Sequence, residues 1–423
     1  MRRGVLALLV LAAALAPQAA SHAGHATPGL ASPVCAGADG FAASFGGRRT
    51  FFLAPGTMLR LKAAIATDPA TKAAYGALIA RAERAMARPL YTVVDKKTAP
   101  PSGDPHDYMS LAPYWWPDPA KPGGLPYVRR DGEFNPDRST DKFDVTDLEG
   151  MSADVETLSL AYFFSDDARY AGRAASLVRT WFLAPATRMN PNMNYAQAVP
   201  GREEGRAEGV LDTSRLARVV EGIGLIGPSG KLSAEEQKGL EKWFSDYLDW
   251  MQTSRNGKAE NAARNNHGMW FDAQTAQFAL FARRPEMTRA VAEAFGRKRI
   301  APQITPEGKM PLELARTRSL HYSIYALFAA YDVADMAKCM GVDVWNHADG
   351  GKSLRAATNY LKPYYRKVEA WPLPELRPDA AELDELMRRA RGAWGEGYPL
   401  APETELKRYF GTAPGPSEPN KAN

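Results

Sequence analysis

Cysteine is nearly absent from this chain of 423 residues, which carries only Cys35 and Cys339. Neither stands at metal-ligand spacing, so no thiolate metal centre is expected. Long apolar runs are missing after the first residues, which leaves no segment of the body able to span a bilayer. Lysine runs and nucleic-acid motifs are missing too. A basic chain without them has no support for a nucleic-acid partner, even with a net charge of +5 and a pI of about 9.0. No stretch alternates apolar and polar residues between hairpin turns, which argues against a β fold. No sequence period repeats, which lowers the solenoid reading.

The chain opens with Arg2 and Arg3, an apolar run from Val5 to Ala16 and small residues through Ala20 and Ala23. A basic start, a short apolar core and a small-residue exit describe a secretory signal peptide over 1–23. Ser32-Pro33-Val34-Cys35 lacks the small residue expected before a lipidated cysteine. A periplasmic or secreted protein without a membrane anchor is the expectation. In such an oxidising compartment an even pair of cysteines admits a bridge. Two unrelated thiols, with Cys339 packed in a helix, is the other reading.

Helical periodicity fills most of the remainder. Asp68 precedes Pro69 as an N-cap, and Tyr75, Leu78, Ile79, Ala82 and Met86 then share a face. Ser233 and Glu236 have the spacing of a capping box, followed by a stripe of Leu240, Trp243, Phe244, Tyr247 and Met251. Serial amphipathic helices without strands leave bundles, solenoids or toroids of helical hairpins. Two long interruptions, from Lys97 to about Met151 and from Ala184 to about Leu211, are rich in Pro, Gly, Asn, Asp and aromatic residues. Loops of this length inside a compact domain are usually functional. They favour an all-α, incomplete (α/α) toroid of about six or seven hairpins with a cleft at one end. The expected division is an N-terminal extension over 24–50, a catalytic toroid over 51–408 and a disordered tail over 409–423.

Chemistry concentrates in two places. Asn265-Asn266-His267-Gly268 offers two amides and an imidazole. About fifty residues later come Arg316, Arg318, His321 and Tyr322. Amides, imidazole and guanidinium can neutralise a substrate carboxylate, and a phenol or imidazole can move one proton. As a local feature, Asn265 to Gly268 also reads as a helix N-terminus with Asn266 as cap. Tyr322 and Tyr325 also fit a core stripe with Phe328 and Tyr331, the preferred reading for Tyr325. Tyr114-Trp115-Trp116 lies between Pro113 and Pro117, which places three aromatics in a loop, as a sugar-stacking wall or as a plug packed on the fold. Asn192, Asn194, Tyr195, Gln197 and Arg202 in the second loop are weaker candidates for hydroxyl and carboxylate contacts.

Three blocks in order carry a family resemblance: Asp107 through Pro119, Asn265 through Trp270, and Pro311 through Tyr325. At these residues the chain resembles the alginate lyase superfamily of helical-toroid polysaccharide lyases, with the similarity running from about Phe51 to Trp371. The resemblance implies that Asn266 and His267 surround the substrate carboxylate, that Arg316 assists them, and that Tyr322 transfers the proton. The best-known alginate lyases place one more residue between Arg and Tyr than Arg316 and Tyr322 do, so Arg318 stands as a rival.

The expected reaction is β-elimination. The C5 proton of a 4-linked uronate is acidic because it lies α to the carboxyl group, and the charge that develops as it leaves must be neutralised. No metal, nucleophile or nucleotide is required. An anionic polysaccharide is the implied partner, with mannuronate-rich alginate and glucuronan both consistent. One rival is a glycoside hydrolase, which needs two carboxylates flanking the bond; Glu313 with Asp144, Asp147 or Glu149 are the candidates. The other is a non-catalytic polysaccharide-binding protein.

Overall fold

The structure, a computed structural model, describes residue 1 and residues 35–42, 45–399 and 402–411. The expected leader and most of the expected tail lie outside these residues. Fifteen α-helices occur among the described residues. The first seven are α1 (Pro55–Ala64), α2 (Pro69–Ala87), α3 (Val145–Ser165), α4 (Ala168–Val178), α5 (Leu216–Ile226), α6 (Ala234–Thr253) and α7 (Arg255–Ala262). They are followed by α8 (Asn266–Phe281), α9 (Pro285–Phe295), α10 (Ala301–Gln303) and α11 (Pro311–Leu314). The last four are α12 (Ser319–Cys339), α13 (Leu354–Leu361), α14 (Ala380–Trp394) and α15 (Pro402–Tyr409).

Burial separates them into two sets. Helices α8 and α12 are buried on nearly every face, and α3 and α5 on most. A helix that is apolar all round must lie inside. These four pack in sequence, α3 on α5, α5 on α8 and α8 on α12. The amphipathic α2 and α4 back onto α3, α6 and α9 onto α8, and α14 onto α12. An inner layer of helices backed by an outer one is the incomplete (α/α) toroid. The caps read from sequence are present: Asp68 accepts from the Thr71 N–H, and Ser233 and Glu236 close a capping box. No helix among the described residues is long and apolar enough to cross a membrane.

Four short strands among the described residues depart from the strand-free expectation. β1 (Met109–Leu111) pairs in parallel with β4 (Tyr195–Ala198), joining the two long interruptions to each other. β2 (Trp115–Trp116) pairs antiparallel with β3 (Val128–Arg129), so the aromatic triplet is part strand and not wholly loop. The first interruption also ends earlier than Met151, because α3 starts at Val145, and the second ends in a 3₁₀ helix over Ala207–Arg215.

Both ends of the packed unit reach past 51–408. Cys35 and Phe45 belong to the core, and so do Tyr409 and Phe410, because each is apolar and finds a partner surface there. Cys35 and Cys339 form a disulfide that ties the N-terminal segment to the end of α12. A second tie is the buried Glu221 on α5, whose carboxylate accepts the backbone N–H groups of Phe51, Phe52 and Leu53 at 2.8, 3.2 and 3.0 Å. An orphaned buried donor costs about 1–3 kcal/mol, and Glu221→Ala orphans three. The variant is expected to lose about 3 kcal/mol or more of stability in urea denaturation. A loss under about 1 kcal/mol would mean that the three donors find other partners.

Candidate active site

The long interruptions and the starts of α8 and α12 enclose a cleft of about 620 Å³. Its floor begins with Asp212, a buried carboxylate at the centre of a polar network. Tyr108 Oη and Ser110 Oγ donate to it at 3.1 and 2.6 Å, and Arg138 and the Gln197 side chain at 2.7 and 3.0 Å. Burial works to raise its pKa, but the Arg138 and Arg215 charges and these bonds hold it below the usual carboxylate value. This is why the block from Asp107 to Pro119 has its composition: Tyr108 and Ser110 anchor the segment so that Tyr114 and Trp115 overhang the cleft. Gln197 takes a left-handed backbone conformation, φ 50°, held by its bonds to Asp212 and to Arg206. Such strain persists only where the surroundings over-determine it.

At the start of α8 the cap is Asn265 and not Asn266: the Asn265 Oδ1 accepts the His267 N–H at 3.3 Å. Asn266 is fully buried. Its backbone N–H and Nδ2 donate to the two oxygens of Glu313 at 2.5 and 2.8 Å, and its Oδ1 has no partner. His267 lies against Glu260, Nδ1 to Oε1 2.7 Å. Gly268 is required by close approach, since a Cβ there would stand 2.2 Å from the Ala263 carbonyl oxygen and 2.3 Å from Arg299 Nη1.

Arg316 follows α11 and precedes α12. Asp131 grips it with two bonds, Nε to Oδ2 3.0 Å and Nη2 to Oδ1 2.8 Å. Burial pushes the Asp131 pKa up, but Arg316, with Arg129 and the Thr317 N–H, outweighs it and holds it at about 2. The Arg316 guanidinium lies over the Tyr322 ring, 3.8 Å from its centroid, a cation–π contact. The Tyr322 hydroxyl is 2.6 Å from that of Tyr114. Burial, and then Tyr114, raises the Tyr322 pKa well above 10 although Arg316 opposes them, so the resting phenol is protonated. Because α12 begins at Ser319, Arg316 is off the helix and its six-residue separation from Tyr322 does not keep them apart.

Of the residues singled out from sequence, Tyr114, Trp115, Gln197, Asn265, Asn266, His267, Arg316, Arg318, His321 and Tyr322 line this one cleft. Tyr325, expected in the core, is buried in a second apolar core that α12 forms with α13 and α14, and it also lines the cleft. Trp116, Asn194, Tyr195 and Arg202 do not line it. Trp116 is turned by its strand pairing toward Arg130 and the Glu133 carbonyl. Asn194 accepts from Trp250, and Tyr195 is committed to β4. Arg202 donates to the Tyr127 carbonyl and packs its guanidinium over Trp115, behind the wall and not on it. Sequence reading passed over Arg206, Glu208 and Glu260, all of which line the cleft. No local signal distinguishes these residues from surface charge.

The carboxylates proposed for hydrolysis are otherwise engaged. Glu313 spends both oxygens on Asn266. Asp144 accepts from the Met109 N–H and pairs with Lys96, and Glu149 pairs with Arg215 at 2.5 Å. None of Asp144, Asp147 and Glu149 lines the cleft.

The family model described as alginate lyase matches residues 92–371. A crystal structure of an alginate lyase from Bacteroides ovatus is similar at 35% identity, with a TM-score of 0.79, over 86% of this chain and 96% of that one. The alginate lyase A1-III from Sphingomonas species A1 aligns at 15% identity and a TM-score of 0.49, over 78% of this chain and 88% of that one. No curated protein matches. On the family match and the 35% identity, this chain belongs to the alginate lyase family.

Proposed function

We propose that this polysaccharide lyase cleaves a β-1,4-linked polyuronate of the alginate class, with Asn266, His267 and Arg316 on the carboxylate of the reacting sugar and Tyr322 moving the proton. The observation that carries the reading is the Arg316 guanidinium fixed over the Tyr322 ring in the cleft that Asn266 and His267 also line. In the reaction the C5–H bond breaks and its electron pair forms the C4=C5 double bond. The C4–O4 bond breaks with its pair on O4, and O4 takes up a proton. Charge grows on the C6 carboxylate as C5 loses its proton, and preorganised donors count most at that moment. The protonated resting phenol suits delivery of a proton to O4.

In mannuronate H5 and O4 lie on the same side of the ring, so a single phenol can serve both. To receive the C5 proton Tyr322 must first lose its own; Tyr114, 2.6 Å away, can relay it outward by releasing its own hydroxyl proton to water as it takes that of Tyr322. An epimeric sugar calls for a second group on the other face. His267 and His321, whose Nδ1 atoms are held by Glu260 and Glu382, are the imidazoles in place for it. Asn265, Arg318, Tyr114 and Trp115 are assigned to neighbouring sugars. The leader read at 1–23 and the disulfide both support export to an oxidising compartment where such a polymer is met.

The test is a panel of alginate, polymannuronate, polyguluronate, glucuronan and hyaluronan, followed in the ultraviolet for the unsaturated uronate. Conjugated product from polymannuronate and alginate is expected. Chain shortening without that absorbance would mean hydrolysis, and binding without shortening would leave only a polysaccharide-binding protein.

A further inference from the structure

Glu260 is a buried carboxylate to which the reaction assigns no task. It sits in the last turns of α7, is 2% exposed, and places Oε1 2.7 Å from His267 Nδ1. Burying a carboxylate is costly unless it is paired, and the imidazole is its partner. The turn between the two residues is built to hold them. Arg299 donates Nη1 to the Ala263 carbonyl at 2.8 Å and Nη2 to the Asn261 carbonyl at 2.9 Å, and is itself fixed by Asp272 at 2.8 Å. Gly268 then lets α8 close on the Ala263 oxygen.

An imidazole without a fixed partner offers two tautomers and two ring orientations; a carboxylate on one nitrogen selects among them. We propose that Glu260 is the positioning residue of His267: its carboxylate accepts the hydrogen bond that Nδ1–H donates and leaves Nε2, in one orientation, as the ring nitrogen presented to the substrate. This rests on the reading of His267 as a group that meets the substrate carboxylate. The charged groups around the ring are Glu260 from α7, Glu208 from the 3₁₀ helix and Glu313 from α11. Arg206, 3.3 Å from Glu208, and Arg316, held by Asp131, line the same cleft. Burial disfavours the charged ring, but Glu260, with Glu208 and Glu313 behind it, outweighs burial and raises the His267 pKa above its usual value.

The experiment compares Glu260→Gln, Glu260→Ala, His267→Ala and the double alanine variant of the full enzyme on its polyuronate. Glu260→Gln is isosteric and can still accept from Nδ1, but it removes the charge. It should lower kcat about 10- to 100-fold, the scale on which outer partners of functional histidines act, with KM nearly unchanged. The limb of the pH profile set by His267 should move to lower pH, because the charge that held the proton is gone. The double variant should be no slower than His267→Ala alone, since Glu260 acts only through that ring. Parent-like kcat and pH profile in both Glu260 variants, with His267→Ala inactive, overturns the proposal and leaves the His267 reading standing. A fall in kcat with no movement of the profile overturns it in favour of a structural role. Parent activity in His267→Ala overturns both. Melting curves identify any variant that fails to fold, and Glu260→Gln carries the test if Glu260→Ala does.

Discussion

Tyr322→Phe is expected to abolish turnover while leaving polymer affinity nearly intact. The ring is packed in the second core beside His321 and beneath Arg316, and phenylalanine keeps that packing. What it removes is the phenolic proton and the bond to Tyr114. One lost hydrogen bond at the edge of a cleft is worth about 1 kcal/mol, so the variant should stay folded. Loss of a positioned acid or base costs about 10²- to 10⁴-fold in rate. Steady-state kcat on alginate, paired with binding measured by calorimetry, checks both halves. Activity within a few-fold of the parent would remove Tyr322 from the chemistry. A large loss of binding would make the hydroxyl an anchor and not a proton carrier.

The outer layer of the fold was legible in the sequence because those helices are amphipathic. Helix α6 shows it best, with its capping box at Ser233 and Glu236 and a stripe from Leu240 to Met251 that is buried. Helices α8 and α12 are covered on nearly every face, so the stripe of Tyr322, Tyr325, Phe328 and Tyr331 marks only part of what α12 buries. They declared themselves through composition at their first turns, where Asn265-Asn266-His267 and Arg316 to Tyr322 break the apolar pattern. The strands were not legible: β1 and β4 are segments of two loops more than eighty residues apart, and their pairing depends on the Asp212 network beneath them. Distance also hid Asp131, 185 residues from Arg316, while Glu313 was read as a hydrolytic carboxylate because its bonds to Asn266 are not visible in sequence. Asn194, Tyr195 and Arg202 failed in the opposite way. Their residue types suited a sugar site, but Trp250, β1 and the Tyr127 carbonyl had already claimed them.

Arg316→Lys is expected to be severely impaired and Arg318→Lys mild. Both guanidiniums line the cleft, so position alone does not separate them. Their restraints do. Arg316 is gripped by Asp131 through two nitrogens and lies 3.8 Å over the Tyr322 ring centroid, with Nη1 left outside the Asp131 grip. A lysine cannot reproduce a two-pronged bond and hold its cation over the ring at once. The substitution therefore frees Asp131, removes the cation above the phenol and withdraws charge from the developing dianion. The loss should fall on kcat more than on KM and reach about 10²-fold or more, the scale of a lost donor to an oxyanion. Arg318 is held loosely: its buried Nε is 3.7 Å from Glu375 and makes no hydrogen bond. An ammonium can keep that ion pair, so Arg318→Lys should raise KM a few-fold and leave kcat close to the parent's. The reverse pattern would transfer the carboxylate of the reacting sugar to Arg318 and leave Arg316 as a clamp between Asp131 and Tyr322. If neither variant loses rate, the next guanidinium to test is Arg206, which lines the cleft, and not Arg202, which lies behind Trp115.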